Sequence, residues 1–332
     1  MMVNLAFLAA ILATAFCLTS FAMPVIIRKM KAAGIVGHDV NKPGRPEVAE
    51  MGGLGIVMGV VGALLLAMAM NTFFGYSLNL NEIMAAMLTM VIISLIGIFD
   101  DLFDMRKDVK TLLPMVAALP LVALAAAGST TVSIPFIGSF DFGIFYIIVL
   151  IPLGVTVAAN LTNMLAGFNG MEAGMGSVIF ACVALLAVAN GSTEAGLIAS
   201  AMLGALIAFL RFNAYPARVF IGDIGTLLIG GTLAVAVIIG NFESVGAILV
   251  IPYLLDFVIK AYHRFPSTGW WGEMKGKSNK LYPLGGKVRG LCQLVMKLAG
   301  GISERRLVLL FIAAEVLFAL LAILLYGRNL FP

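Results

Sequence analysis

Apolar residues run in long blocks along this chain, and polar residues collect in the gaps between them. A helix needs roughly 20 apolar residues to cross a hydrocarbon core. Ten stretches approach that length: 3–27, 52–71, 83–100, 111–128, 144–160, 173–190, 195–211, 222–240, 245–262 and 306–327. The pattern predicts an all-α integral membrane protein of about ten transmembrane helices, folded as a single polytopic domain over residues 1–332. The first stretch has no basic residue before it and is too long for a signal-peptide core, so it is expected to remain as a helix. Two smaller elements interrupt the pattern. Thr130 to Phe142 alternates and carries turn residues, which predicts a small outer hairpin. Within the long loop 263–305, the segment beginning at Gly290 places Leu291, Leu294, Val295 and Leu298 on one face, beside Lys297. That pattern predicts a helix lying in the inner interface.

Composition sharpens the class. Hydrophobic residues make up 61% of the chain and charged residues 11%, against roughly 45–50% and 25% in soluble domains. A soluble enzyme would lack a charged coat at these values, and a disordered chain would be far less apolar. The three cysteines, Cys17, Cys182 and Cys292, form neither a disulfide framework nor a metal-ligand pair and read as small buried residues. Charge then sets the orientation. With the N-terminus outside, every one of the 21 basic residues except Arg328 falls on the inner side, as the positive-inside rule requires. The net charge of +4 is explained by orientation and anionic membrane lipid, so no nucleic-acid partner is implied. Gly55 and Gly59 are spaced for close helix contact, which would allow a homodimer.

The remaining polar residues crowd the inner ends of the spans. A secondary transporter or channel, the competing class, would place ionisable groups in a midplane pathway between internal repeats. Neither is evident; Glu315 is an exception in the last span, for which a buried pair or hydrogen bond is the simple explanation.

Five inner segments carry the candidate chemistry. The first runs from Asp39 to Gly53 and mixes Lys42, Arg45, Glu50, prolines and glycines. In the second, Asp100 and Asp104 lie one helical turn apart with Asp101 rotated away. Such carboxylates need a cation, either a divalent metal held against a diphosphate or Lys107 and Lys110. The third contains Asn160, Asn163 and Asn169, whose amides cost desolvation unless paired and could ligate a metal or read a base edge. The fourth, Arg218 to Gly225, sets Asp223 between glycines with Phe220 three residues before it, placed to stack on a base. The fifth is His263-Arg264-Phe265-Pro266, where Arg264 suits bidentate phosphate contact.

In this order the five segments resemble one family, the polyprenyl-phosphate N-acetylhexosamine-1-phosphate transferases. The pair Asp100-Asp101, the run NLTNMLAGFNGMEAG and the run RVFIGDIG look like three of its signatures. NKPGRPEVAE and HRFP resemble its archaeal and eukaryotic branch, the UDP-GlcNAc:dolichyl-phosphate GlcNAc-1-phosphotransferases. The bacterial phospho-MurNAc-pentapeptide translocases carry a histidine cluster where this chain has only His263. Tyr262 stands where the eukaryotic pattern has a further Arg.

The resemblance implies transfer of N-acetylglucosamine-1-phosphate from UDP-GlcNAc to a polyprenyl or dolichyl phosphate at the cytosolic face. It also implies Mg²⁺ as cofactor, with Mn²⁺ as a substitute, and a place in the first step of lipid-linked glycan assembly. Asn163 and Asp223 would be the metal ligands. Asp100 and Asp101 would lie beside the acceptor phosphate, and Lys110 and Arg264 would hold phosphate. Glu50, Asn169 and Phe220 would meet the uridine, His263 and Arg264 the sugar-phosphate of the donor. Lys42 and Asn160 complete the implied substrate-binding set. Another UDP-HexNAc donor would leave the chemistry unchanged.

Overall fold

The computed structural model describes residues 4–123, 129–134, 137–266, 269–274 and 279–327. Fourteen helices follow in chain order among these residues: α1 (Leu5–Ala32), α2 (Gly53–Phe74), α3 (Leu80–Phe103), α4 (Lys107–Ala117), α5 (Leu119–Ala123), α6 (Gly143–Phe145), α7 (Ile151–Met164), α8 (Met171–Asn190), α9 (Thr193–Asn213), α10 (Gly222–Ile239), α11 (Glu243–Leu249), α12 (Ile251–Tyr262), α13 (Leu291–Leu298) and α14 (Glu304–Tyr326). A π-helical turn, Tyr146–Leu150, joins α6 to α7. Eight helices, with α6 and α7 counted as one, are long and apolar enough to cross a membrane. The bent pair α11–α12 makes a ninth if it is one span.

Proline accounts for the irregular spans. Pro120, Pro152 and Pro252 each lie just past a break or widened turn: Ala118 between α4 and α5, the π turn before α7, and the 57° bend between α11 and α12. Each proline removes an N–H from the helical ladder and crowds the preceding turn. The fourth apolar stretch, 111–128, is therefore two short helices as far as Ala123; residues 124–128 lie outside the described residues. Arg328, Lys275 and Lys277 lie outside them as well.

The most buried span is α10, packed by α3, α7, α9 and α2. Within a bilayer, close backbone approach replaces the hydrophobic drive between helices. Gly97 of α3 lies against the backbone of Ile224, where an added Cβ would come within 2.4 Å, and Gly53 of α2 meets Gly225 just as closely, at 2.4 Å. These contacts bring the last turn of α3 and the first turns of α2 and α10 to one end of the bundle. Gly55 and Gly59 face α1, where added Cβ atoms would strike Met23 and Thr19. That glycine pair is used within the chain.

Among the described residues, three antiparallel strand pairs decorate the bundle. β1 (Val36–His38) pairs with β2 (Glu47–Ala49), β3 (Thr131–Ile134) with β4 (Gly138–Asp141), and β5 (Gly272–Met274) with β6 (Leu281–Pro283), all antiparallel. The second of these is the hairpin expected over Thr130–Phe142. The first is bound to the start of α10: Phe220 N–H donates to Ala49 O at 2.7 Å, and Gly52 and Gly53 N–H donate to Phe220 O and Ile221 O at 2.9 and 2.8 Å.

Several sequence expectations need correction. Cys17 faces outward from α1, whereas Cys182 and Cys292 are buried. The helix expected from Gly290 is α13, whose most buried residues are Cys292, Gln293 and Met296, with Leu298 79% exposed. Glu315 is fully buried, and neither carboxylate oxygen has a hydrogen-bond partner among the described residues.

Candidate active site

A cleft of about 430 Å³ opens at the end of the bundle where α7, α8, α10 and α12 converge. Its walls include Asp39, Asn41, Glu50, Asn163, Asn169, Glu172, Phe220, Asp223, Thr226, Lys260, Trp270 and Trp271. The volume falls in the range of small-molecule sites, roughly 300–1,000 Å³. Five residues singled out by sequence line it: Glu50, Asn163, Asn169, Phe220 and Asp223.

Asp223 sits in the first turn of α10, on the positive end of the helix dipole. Two neighbours from distant segments fix it. Asp101, at the end of α3, accepts the backbone N–H of Asp223 at 2.8 Å and of Ile224 at 3.4 Å. It acts as an N-cap supplied from another helix, and it is turned to the helix start rather than into the cleft. Gly222 has φ +69°, and a Cβ there would lie 2.4 Å from the Asp101 carboxylate, so the cap needs this glycine. The second neighbour is Lys110 of α4, whose ammonium bonds both Asp100 and Asp223. Asp100 also accepts Met105 N–H at 3.0 Å, closing the left-handed turn at Asp104 that carries α4 back toward α10. Burial pushes the Lys110 ammonium down, but the Asp223 and Asp100 carboxylates outweigh it and hold it above its ordinary value. The cation that the clustered carboxylates require is therefore Lys110.

Asn163, in the last turn of α7, accepts the Thr226 hydroxyl at 3.1 Å, one turn along from Asp223. One lone pair of its carbonyl oxygen and the Asp223 carboxylate remain as hard oxygen donors in the cleft. No group of three or more His, Cys, Asp or Glu side chains is arranged to hold a metal alone among the described residues. One carboxylate and one amide oxygen nonetheless suit Mg²⁺, which is commonly held by one or two carboxylates together with substrate phosphates.

On the wall formed by β2 and the start of α10, burial raises the Glu50 carboxyl above its ordinary value. Asn169 is committed elsewhere. Its side-chain oxygen accepts Lys42 Nζ at 2.8 Å and Ala217 N–H at 2.6 Å, and its amide donates to Asp39 at 3.0 Å. Lys42 in turn pairs with Asp39 and with Glu304 at 3.1 Å and lies 4.5 Å over the Tyr215 ring. Lys42 and Asn169, read as substrate-binding residues, thus anchor the cleft floor to the last helix. Asn160 ties α7 to α4 through Thr111 O at 3.0 Å and does not line the cleft. His263 and Arg264 are exposed; His263 borders a separate groove with Lys287, Arg289 and Lys297.

Sequence reasoning passed over Asn41, Glu172, Thr226, Lys260 and the Trp270-Trp271 pair. Glu172 accepts Gly167 N–H. Lys260 donates to Met164 O and pairs with Asp256 at 2.8 Å. A signal for the tryptophans existed: they are the only two in the chain, adjacent, in the long loop after α12.

With this geometry in hand, comparison with known proteins is informative. The family model described as glycosyl transferase family 4 matches residues 83–241, the segment that contains Asp100, Lys110, Asn163 and Asp223. A protein of Saccharolobus solfataricus, provisionally named UDP-N-acetylglucosamine–dolichyl-phosphate N-acetylglucosaminephosphotransferase, is 35% identical across 90% of this chain and 91% of its own length. The enzyme of that name from Dictyostelium discoideum is 30% identical across 87% of this chain and 81% of its own. A phospho-N-acetylmuramoyl-pentapeptide-transferase of Shouchella clausii is 35% identical across 64% and 68%.

Proposed function

The chain belongs to the polyprenyl-phosphate N-acetylhexosamine-1-phosphate transferases of glycosyl transferase family 4, and on that premise we propose that it moves N-acetylglucosamine-1-phosphate from UDP-GlcNAc to a dolichyl-type polyprenyl phosphate. The observation that carries this reading is Asp223, its backbone N–H held by Asp101 and its carboxylate by Lys110, beside Asn163 in a cleft at the end of an apolar bundle. Such a cleft admits a water-soluble nucleotide sugar while the helices keep the acceptor in the lipid. The distribution of basic residues supports a cytosolic site.

In the reaction, an oxygen of the acceptor phosphate attacks the β-phosphorus of the donor. The bond from that phosphorus to the bridging oxygen breaks, and UMP departs with the electron pair. Both reactants are anionic, so positioning and charge neutralisation are the main tasks. Asn163 and Asp223 would hold Mg²⁺, which when bound would supply Lewis-acid polarisation of the donor diphosphate. Lys110 contributes a permanent positive charge and fixes the rotamer of Asp223. Glu50 and Phe220 present a polar and an aromatic surface for the uridine. The acceptor phosphate is already ionised at neutral pH, so the chemistry needs no strong base, and Asp101, spent on backbone N–H groups, serves as a positioning residue.

The MurNAc-pentapeptide donor of the Shouchella relative is disfavoured by the single histidine at 263. A panel of UDP-HexNAc donors, read as label extracted with the prenyl lipid, tests the assignment. GlcNAc transfer is expected, and exclusive use of another sugar would overturn the donor.

A further inference from the structure

Trp270 and Trp271, the two tryptophans of the chain, both line the cleft. The Trp270 ring rests on the backbone of Gly167, where an added Cβ would lie 2.3 Å from it, and Gly167 has φ +112°. Phe168 meets Trp270 edge-on at 6.3 Å, and Trp271 does so at 5.6 Å. This aromatic wall is fastened by two buried carboxamides. Gln293 of α13 donates to Gly269 O at 2.6 Å and to Trp271 O at 3.0 Å. Asn41, in the loop between β1 and β2, accepts Gly272 N–H at 3.0 Å and donates to Gly167 O at 3.3 Å.

Asn41 thus joins three segments at one point: its own hairpin loop, the turn after Asn163, and the tryptophan loop. The carboxamide has an acceptor at one end and a donor at the other, and so bridges a backbone N–H and a backbone C=O. Aspartate would set a second acceptor against Gly167 O, and alanine would leave both groups unpaired. We propose that Asn41 is a positioning residue of the transferase, holding the Trp270–Trp271 wall in register with the Asn163–Asp223 pair so that the nucleotide sugar meets one rigid surface. The proposal rests on the donor reading above.

Tryptophan emission reports on this wall and nothing else in the protein. The test uses full-length protein in detergent and compares wild type, Asn41→Ala, Asn41→Asp and Gln293→Ala. Emission is recorded without ligand and during titration with UMP and UDP-GlcNAc, alongside transfer kinetics. Both Asn41 variants are expected to be monodisperse, with red-shifted emission and a donor KM raised about tenfold in Asn41→Asp, which loses one hydrogen bond, and at least as much in Asn41→Ala, which loses both. The acceptor KM should stay unchanged and kcat should move less. Gln293→Ala should show the same emission shift. Unshifted emission with an unchanged donor KM in Asn41→Ala would overturn the proposal. So would a fall in melting temperature with donor and acceptor KM raised alike, which would mark Asn41 as merely structural. A wild-type emission response to UMP without transfer to prenyl phosphate would overturn the reaction and leave Asn41 supported through its emission and binding shifts. No response to either nucleotide in the wild type would overturn both.

Discussion

The Lys110 ammonium is bonded to the Asp223 carboxylate across 113 residues of sequence. It is bonded to Asp100 as well, so one cation holds together the end of α3, the start of α4 and the start of α10. The charge that organises the site is therefore part of the protein, and the site is built before any ligand arrives.

Removing that cation should cost both activity and stability. Lys110→Met leaves two carboxylates facing each other. Transfer is expected to fall by about 10²–10³, the effect of losing one preorganised electrostatic contact. Both side chains of the Lys110–Asp223 pair are 25% exposed, so the stability loss should be about 1–2 kcal/mol, below that of a fully buried pair. Steady-state UMP release and a thermal melt in detergent check the two effects, and near-normal rates would remove Lys110 from the mechanism.

Asp101 gives a sharper distinction. As a cap it can be replaced by asparagine, which keeps an acceptor oxygen, but not by alanine. Asp101→Asn is expected to stay within about tenfold of wild type. Asp101→Ala should lose about 1 kcal/mol of stability, and a displaced Asp223 should cost about 10² in rate. Equal, severe loss in both variants, with no change in melting, would instead mean that Asp101 acts on a proton.

Glu50 predicts a pH effect. Burial raises its carboxyl above 4.5 in the folded protein, so the folded state binds more protons than the unfolded state between 4.5 and the raised value. Stability from this group is present below that window and is lost as pH rises through it. Glu50→Gln should therefore melt higher than wild type at pH 7, and the difference should vanish below pH 4.5. A gap that persists at low pH would exclude this origin.

Glu315, buried in the middle of α14 with no hydrogen-bond partner among the described residues, does not line the cleft. Burying such a group unpaired costs about 1–3 kcal/mol. Glu315→Leu is expected to transfer at wild-type rate and to melt no earlier. Loss of transfer in a well-folded variant would reveal a role that the cleft geometry does not contain.

The long spans and the hairpin at Thr131–Asp141 were legible because each rests on local periodicity. Breaks at Ala118 and Val250 were harder to read. A proline inside an apolar stretch does not say whether the helix bends or stops. The inner segments could be named one by one, but which residue does what depends on contacts that sequence does not display. Asp101 and Asp223 look alike on paper. One is spent on two N–H groups of α10, whereas the other faces the cleft. Lys42 resembles a phosphate ligand until Glu304, 262 residues away, is found beside it. Asn41 was hidden because a carboxamide between a lysine and an aspartate draws no notice until its partners Gly167 and Gly272 are in place.

The most direct test of the central claim is Mg²⁺-dependent UMP release from UDP-GlcNAc by purified protein given a dolichyl-type phosphate, comparing wild type with Asp223→Asn and Asn163→Ala. Release by the wild type should require both the lipid and the metal, and either substitution should abolish it while the protein remains folded. Release that is indifferent to Mg²⁺, or that survives at near-normal rate in Asp223→Asn, would contradict the account.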